Sequence, residues 1–320
     1  MRLRCQKCGS ETAEELRFCL RCRTALVPRT TYDLTAGDYE YEPDREAIQT
    51  IKVVGPLPYI LKKLTVGDFE KQLLTKLSNE AYRAAYPSGL DAITRRCGSL
   101  MSLEALPDVF ISEGGQRNAF TFGVGDRAFV VLTSNLVRVL TQHELMAVLG
   151  HELAHVKSGH MLYHTLGEIL SGGLSFSASL LGLDILSIPI RLALLSWHRE
   201  SEVTADRASL LMVDDVGVIE SLMAKFVVSN GPASASAGRI QKRDVSTFDS
   251  LSELFRTHPL HANRLSLVKQ FAVSPEFPRA RAKISQRERL SRALVPVCRF
   301  CLAAKPVADL FCPICGRSQI

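Results

Sequence analysis

The chain has 320 residues and a formal net charge of +6, and 46% of its residues are hydrophobic while 22% are charged. This is the composition of an ordinary globular protein, and it excludes a disordered, collagen-like or coiled-coil chain. The positive excess is small for this length and does not by itself indicate a nucleic-acid-binding protein.

The cysteines are concentrated at the two ends of the chain, and eight of the nine fall into two clusters of the same spacing. The first cluster has the pattern C-x2-C-x10-C-x2-C and consists of Cys5, Cys8, Cys19 and Cys22. A C-x2-C pair is typical of a tight turn that directs two thiolates at one Zn²⁺ ion, and two such turns complete a tetrahedral four-sulfur site. Because residues 1–27 are too few to bury a hydrophobic core, metal binding would supply the folding free energy of this zinc-ribbon-like module.

Two alternatives to zinc remain for these cysteines, namely surface thiols without a metal and redox-active C-x2-C pairs. A redox pair would be surrounded by a thioredoxin-like βαβ pattern, which neither cluster has. The N-terminus also lacks the apolar stretch of a secretory signal peptide, so we expect a cytoplasmic protein in which disulfides are rare. Cys97, the ninth cysteine, is assigned no role.

The region after the first cluster divides into an acidic linker and a run of helices and strands. Residues 28–50 contain two prolines and six acidic side chains, a composition typical of a linker. Apolar residues at helical spacing predict one or two helices over residues 59–86. Segments 106–112 and 119–132 are rich in Val, Phe and Ile and are punctuated by glycines, so we predict a small antiparallel sheet with hairpins.

Helical periodicity dominates the following part of the chain, with long helices predicted at 141–160 and 198–213. The first contains His151, Glu152 and His155 in an HExxH pattern. On a helix, positions i and i+4 lie about 40° apart around the axis, so both imidazoles can bind one metal ion. Glu152 can then accept a proton from a water that the metal activates. The bare pattern also occurs by chance, and its position on an amphipathic helix is what favours a metal site.

A zinc hydrolase needs a third protein ligand and one position left for water. We select Glu202, in the second predicted helix, as that ligand. Asp206 lies four residues later on the same helical face, where it can accept a hydrogen bond from a ligand histidine and set its tautomer. Glu200 projects elsewhere and is interpreted as a solvated helix charge. Three other histidines on or near the HExxH helix are interpreted as packed or solvated residues, namely His143, His160 and His164.

Three motifs in this order resemble the CAAX prenyl protease/HtpX-like family of zinc metallopeptidases, which is of the gluzincin type. They are LTQHELMAVLGHELAHVKSGH, then Arg199-x-x-Glu202-x-x-Ala205-Asp206, and then Thr257-His258-Pro259-Leu260 followed by Asn263-Arg264-Leu265. A weaker similarity begins near Tyr59 and includes Asn118-Ala119-Phe120. The resemblance covers roughly residues 55–272.

The resemblance implies the fold and the site residues of such an enzyme. The fold would be of the α+β class, a mainly helical, zincin-type metallopeptidase domain over residues 51–275 with a small antiparallel sheet. Carried over by position, the resemblance makes three residues the ligands of a catalytic zinc, namely His151, His155 and Glu202. It makes Glu152 the general base and places Asp206 behind the metal ligands.

The implied activity is that of a zinc-dependent endopeptidase acting on polypeptides. Glu152 would take a proton from the metal-activated water and pass it to the leaving amine. An extended substrate would pair with the edge of the sheet around residues 117–132, but the sequence does not show which strand is the edge. His258 has two interpretations, a donor that stabilises the oxyanion or a residue that holds the loop before the last helix. Arg264 is interpreted as an ion-pair partner within the helices of the site.

One segment between the HExxH motif and Glu202 bears on membrane contact. Residues 169–190 contain a single charge, Asp184, and are long enough to span a bilayer. Eight of these 22 residues are Ser or Gly, and a charged residue in mid-membrane costs about 2.5–3.5 kcal/mol, which favours a hairpin of two buried or interfacial helices. Peripheral or integral membrane contact through residues 165–197 therefore stays open.

The chain ends in a basic segment and the second cysteine cluster. Residues 276–296 contain six basic side chains against two glutamates and are predicted to be a linker. Residues 297–320 repeat the spacing of the first cluster, which predicts a second zinc-ribbon-like module with the ligands Cys298, Cys301, Cys312 and Cys315. The protein would then hold three zinc ions, one catalytic and two structural, and its end modules could recruit a protein partner.

Two rival functions are kept beside the protease. An adaptor or nucleic-acid-associated protein would bind through the zinc modules and the basic segment, with an inactive protease scaffold between them. Against it, the modules carry few aromatic side chains that could stack on bases, so a nucleic-acid partner is not expected. A pseudo-enzyme kept only for binding is disfavoured because all three ligands and the base are present.

Overall fold

The computed structural model describes residues 2–13, 17–26, 33–52, 75, 81–84, 88–113, 118–124, 127–164, 187–230, 262–294, 315 and 317. The strands of this part are β1 (Arg2–Arg4), β2 (Glu11–Ala13), β3 (Ala81–Arg83), β4 (Asp108–Ser112), β5 (Ala119–Val124) and β6 (Arg127–Thr133). Its α-helices are α1 (Glu42–Lys52), α2 (Gly89–Leu100), α3 (Ser134–Val139), α4 (Gln142–Lys157), α5 (Ser187–Val213), α6 (Val216–Asn230), α7 (Ala262–Ala272) and α8 (Glu276–Leu294). The predicted α+β class with a mainly helical domain is confirmed.

The N-terminal cysteine segment is packed onto the rest of the protein. Its two short strands, β1 and β2, pair antiparallel. Phe18 lies in the main hydrophobic core together with residues of α2 and α4. Arg23 donates hydrogen bonds to the carbonyls of Leu106 and Pro107 at 3.2 and 2.6 Å. The segment therefore shares its apolar surface with the larger domain.

The residues predicted as an acidic linker are helical in their last part. Glu42–Lys52 form α1, whose acidic first turn is favourable at the positive end of a helix dipole. Ile48 and Ile51 are buried, and Asp44 is buried against α5. The linker prediction is thus wrong for these residues, because composition alone does not show that one carboxylate of an acidic run faces inward.

Strands β3 to β6 form one sheet in the order β3-β4-β6-β5. β5 and β6 are an antiparallel hairpin, with Phe122 opposite Phe129. β4 instead runs parallel to β6, with Asp108 opposite Phe129. The sheet is therefore mixed rather than antiparallel throughout as predicted, because β4 and β5 lie on opposite sides of β6 and only β5 forms a hairpin with it.

Helix α4 carries the HExxH motif and is buried along most of its length. It begins at a capping box, in which the Thr141 hydroxyl accepts from the Glu144 N–H and the Glu144 carboxylate accepts from the Thr141 N–H. A glycine at position 150 lets α5 approach closely, since a Cβ there would lie 2.6 Å from Met212 Cγ. This close packing brings the polar residues of the two helices into one buried site.

The segment predicted as a basic linker is largely the long helix α8. Its Lys283 pairs with Asp38 at 2.7 Å, and its Arg287 pairs with Asp33 at 3.1 Å. Ala280 and Ile284 of the same helix are buried in the core. The linker prediction is thus wrong for the residues of α8, because several of its basic side chains have acidic partners near the other end of the chain.

Several predicted features lie outside the described residues. They are most of the segment 59–86, most of the hairpin at 169–190, His258, and the second cysteine cluster except Cys315. Within 59–86, Ala81–Arg83 form β3 by pairing with β4, so the helix prediction is wrong there. Among the helices described, none combines the length and apolarity needed to cross a membrane.

Candidate metal centre and active site

The HExxH motif lies in the C-terminal half of α4, a helix that contacts both α5 and β5. His151 and His155 are buried side by side, and their rings meet edge to face at a centroid distance of 4.9 Å. The spacing of four residues therefore brings both imidazoles to one side of the helix.

Three potential metal-binding side chains converge between α4 and α5. His155 Nε2 lies 3.3 Å from His151 Nε2. Glu202, buried on α5, has Oε2 3.4 Å from His151 Nε2 and Oε1 3.4 Å from His155 Nε2. Atoms bound tetrahedrally to Zn²⁺ at its usual distances from nitrogen and oxygen lie about 3.3 Å from one another. The three side chains therefore fit one zinc ion, and three protein ligands are the number typical of catalytic zinc sites.

Glu152 is buried beside the two histidines and faces β5. The Thr121 hydroxyl donates to Glu152 Oε2 at 2.5 Å, which orients the carboxylate. Sequence reasoning misses Thr121. The only signal for it is a polar residue between two phenylalanines in the strand AFTFGV.

Asp206 and Arg264 lie behind His151. Asp206 Oδ1 is 3.1 Å from His151 Nδ1, the ring nitrogen that does not face Glu202. Arg264 of α7 donates to both oxygens of Asp206 at 2.6 and 2.7 Å and lies 3.1 Å from Glu202 Oε2. Two parallel bonds from a guanidinium fix a carboxylate in orientation as well as in position. Asp206 can therefore set the tautomer of His151.

Burial and charge shift the pKa values of the two histidines in opposite directions. Burial alone would lower the pKa of His151, but the charge of Glu202 and the contact with Asp206 raise it to about 10. For His155 burial dominates and lowers the pKa to about 3. A metal ion bound at His151 would compete with a proton for the same lone pair.

The second nitrogen of His155 faces His160, which in turn contacts Asp44, and neither residue is predicted to belong to the site. His155 Nδ1 lies 3.1 Å from His160 Nδ1, and His160 Nε2 lies 3.2 Å from Asp44 Oδ2. His160 is packed, as one of the two interpretations holds, but its contact with His155 is not predicted from the sequence. Nothing in the sequence links Asp44 to the HExxH motif, since tertiary packing of α1 on α5 brings it there.

Another group of three histidines includes His155, since the ligand atoms of His155, His160 and His164 lie within 4.8 Å of one another. Both nitrogens of His160 already face His155 and Asp44. His164 Nε2 lies 3.1 Å from the Ser201 hydroxyl, and burial lowers the pKa of His164 well below its ordinary value. With His155 bound to a metal through Nε2, this group would lie behind that centre as a packed cluster of buried rings.

The first cysteine cluster forms a separate candidate metal centre. Cys5 Sγ lies 3.5 Å from Cys22 Sγ, and Cys8 Sγ lies 3.7 Å from Cys19 Sγ. A disulfide would bring two sulfurs to about 2.05 Å, whereas sulfurs bound tetrahedrally to zinc lie about 3.8 Å apart. Gly9, which follows the second cysteine, has the left-handed φ of +71° that such a turn favours. The four sulfurs therefore fit one zinc ion.

The other predicted site residues do not enter these centres in the part of the chain that the structure describes. Glu200 lies on α5 outside the group of three ligands. Only Cys315 of the second cluster is described, so the four-sulfur site there stays a prediction. His258 lies outside the described residues, so its role also stays a prediction.

A family profile matches the middle of the chain. The profile described as Peptidase family M48 covers residues 88–272. This span contains the three potential metal ligands of α4 and α5 together with Arg264 of α7. It does not contain α1 or the two cysteine clusters.

Individual relatives agree with this match. The chain is 28% identical over 222 residues to the plastoglobule-localized metallopeptidase 48, chloroplastic, of Arabidopsis thaliana, which covers 68% of this chain and 63% of that protein. It is 25% identical over 215 residues to a protease HtpX homolog of Campylobacter curvus, over 58% of this chain and 75% of the relative. A shorter match, 36% identical over 89 residues, is to a protease HtpX homolog of Thermodesulfovibrio yellowstonii and covers 28% of this chain and 31% of that relative.

The chain thus spans less than two thirds of the length of the plant relative. These matches confirm the resemblance to HtpX-like metallopeptidases that the motifs indicate.

Proposed function

The chain belongs to peptidase family M48, and on that premise we propose that it is a zinc-dependent endopeptidase. The observation that carries this proposal is the convergence of His151, His155 and Glu202, whose ligand atoms lie 3.3 to 3.4 Å apart. With Glu152 on the same helix, they supply the ligands and the base that metal-assisted hydrolysis of a peptide bond requires. An adaptor with an inactive protease scaffold is not favoured, because the full set of residues is assembled.

Each residue has a distinct task in the proposed reaction. His151, His155 and Glu202 would hold Zn²⁺, which when bound makes a water more acidic and polarises the substrate carbonyl. Glu152 accepts the proton of the attacking water and then delivers it to the leaving amine. Thr121 keeps the carboxylate of Glu152 oriented for both transfers.

A peptide substrate would pair with β5. This strand is one of the two outer strands of the sheet among the described residues, and it is the one whose Thr121 contacts Glu152. Just before β5, the Thr133 N–H donates to the Asn118 carbonyl at 2.9 Å. Because hydrogen-bonded pairs alternate along antiparallel strands, the backbone groups of Thr121 point away from β6. Those of Ala119 point the same way, but its N–H donates to Asn118 Oδ1 at 3.0 Å. An extended peptide added to this edge would run past the general base.

The proposal includes two further zinc ions with structural roles. The first cysteine cluster would hold one, as the distances between its sulfurs support. The second cluster, in residues 297–320, would hold the other. A cytoplasmic location, membrane contact through residues 165–197 and a protein partner for the zinc modules stay predictions.

Metal analysis combined with a casein cleavage assay tests the proposed function. Wild-type protein should contain about three zinc ions per chain. Glu152→Gln removes the base but no ligand, so cleavage should fall at least about 100-fold while the zinc content is retained. Glu200→Gln, the same substitution on α5 outside the ligand group, should change neither quantity.

Two outcomes would contradict the proposal. One is a wild-type chain that holds only the zinc of its cysteine clusters. The other is a zinc-loaded wild-type chain that cleaves nothing in a broad peptide library.

A further inference from the structure

We propose that Asp44 and His160 form a positioning pair that orients the zinc ligand His155 from behind. The inference rests on the proposed function in one respect, since it takes His155 as a zinc ligand. It extends the site beyond the family's shared span of 88–272, because Asp44 belongs to α1 near the N-terminus.

Asp44 and His160 connect the zinc ligand His155 to helix α1 through a line of two hydrogen bonds. His155 Nε2 faces His151 and Glu202, while its Nδ1 faces His160 Nδ1 at 3.1 Å. His160 Nε2 in turn faces Asp44 Oδ2 at 3.2 Å. His155, His160 and Asp44 are only 1%, 2% and 0% exposed. Bulk water therefore does not compete for either contact.

The contacts agree with a single arrangement of protons. A neutral histidine that binds a metal through Nε2 carries its proton on Nδ1 and donates from there. His160 must then accept at Nδ1, which leaves its own proton on Nε2. That proton is donated to Asp44, whose carboxylate can only accept. The tautomer of each histidine is thus set by the next residue in the line.

Helix α5 holds Asp44 in place. Trp197 Nε1 donates to Asp44 Oδ1 at 2.7 Å, and the Thr204 hydroxyl donates to Oδ2 at 2.5 Å. Burial alone would raise the pKa of Asp44, but His160 and these two donors hold it below its ordinary value. Thr204 follows Glu202 by two residues on α5. One helix therefore supplies a metal ligand and also fixes the far end of the line.

The two ligand histidines are supported in comparable ways. Histidines that bind zinc ordinarily donate their other N–H to a carboxylate or carbonyl. His151 faces the carboxylate of Asp206 directly at 3.1 Å. His155 reaches the carboxylate of Asp44 through the ring of His160. Loss of such an outer partner typically weakens metal binding about 10-fold to 100-fold.

Titration with a zinc chelator tests the positioning pair. Asp44→Asn keeps the size of the side chain but removes the carboxylate charge. We expect the catalytic zinc to bind about 10-fold to 100-fold more weakly in this variant. Glu46→Gln, on the exposed side of the same helix, is the matched control and should bind zinc as the wild type does. The catalytic zinc is the ion that the wild type holds and Glu202→Gln lacks.

A second set of measurements separates positioning from a purely structural role. A structural role would lower the thermal unfolding midpoint and leave the zinc affinity of the folded protein unchanged. A positioning role should also shift the visible absorption bands of Co²⁺ substituted at the catalytic site. His160→Gln interrupts the line at its middle and should weaken zinc binding to a similar extent. If Asp44→Asn does not fold, the zinc affinity of His160→Gln tests the positioning role instead.

The outcomes distinguish this inference from the proposed function. Zinc affinity within about two-fold of wild type in the folded variants, with unchanged Co²⁺ bands, would overturn the positioning role and leave the protease proposal intact. A wild type that holds no more zinc than Glu202→Gln would contradict the protease proposal itself.

Discussion

The functional side chains of α4 each depend on a partner from another element. His151 faces Asp206 of α5, and Glu152 accepts a hydrogen bond from Thr121 of β5. Because each partner selects one orientation of a side chain that could otherwise rotate, the site is organised in advance for its chemistry. At the scale of residues, the geometry of the site therefore depends on these partner side chains as well as on the HExxH motif.

Thr121→Val keeps the shape of the side chain and removes the hydroxyl that donates to Glu152. A hydrogen bond to a charged group contributes about 1.5–3 kcal/mol, so we expect kcat to fall roughly 10-fold to 100-fold. KM should change little, because the backbone edge of β5 is retained. Steady-state kinetics on one peptide substrate measure both constants, with Thr50→Val on the exposed side of α1 as the control. An unchanged kcat would show that Glu152 does not need this contact.

At the scale of elements, α4 is anchored at its first turn as well as at the motif. The Glu144 carboxylate accepts from Lys225 at 2.6 Å and from Ser221 at 2.8 Å, both on α6. It also accepts from the Thr141 N–H at 2.7 Å. Burial alone would raise the pKa of Glu144, but these donors lower it to about 2. Helix α6 is therefore attached to the start of the HExxH helix by a charged contact.

This anchor predicts a dependence of stability on pH. Since the folded pKa of Glu144 lies below its ordinary 4.5, its stabilising effect is present above pH 4.5 and is lost as the pH falls towards about 2. Glu144→Gln should therefore be less stable than wild type at neutral pH, and the difference should shrink across that interval. Urea unfolding at several pH values measures it, with Glu46→Gln, an exposed position in the middle of α1, as the control. A difference that is constant with pH would argue against the ionised contact.

At the scale of the whole molecule, the first cysteine module and helix α8 are both attached to the central domain. Phe18 of the first cysteine module lies in the main core. Lys283 and Arg287 of α8 pair with Asp38 and Asp33 at 2.7 and 3.1 Å. Acidic and basic segments that look like solvated linkers by composition thus neutralise one another. Part of the positive charge of α8 is therefore neutralised inside the fold, where it is not available to a binding partner.

Loss of zinc from the first module should therefore destabilise the entire domain. Cys19→Ser removes one ligand next to Phe18, and taking a phenylalanine out of a core costs about 3–5 kcal/mol. Trp197 is the only tryptophan of the chain and lies 1% exposed beside His160, so its fluorescence reports unfolding of the central domain. We expect a lower thermal midpoint by this signal, and no shift for Arg21→Ser on the module surface. Loss of zinc without a lower midpoint would mean that the module folds independently.

Short-range spacing accounts for what the sequence by itself determined. Residues four apart on a helix share a face, so the pairing of His151 with His155 could be derived without a structure. Glu202 is selected as a candidate from the second predicted helix, and the family resemblance implies the same residue. The helix predicted at 141–160 is α4, Gln142–Lys157. The order of the motifs also indicated the family that the comparisons confirm.

Only the tertiary structure decided the contacts between distant segments. It brought Asp44 to His160, set Thr121 against Glu152, made β4 parallel to β6 and seated Phe18 in the core. None of these contacts leaves a periodic signal in the sequence, because each depends on which elements pack together after the local structure has formed. For the same reason, the charged composition of α1 and α8 predicted linkers. A count of charged residues does not show which side chain of another segment each charge will pair with.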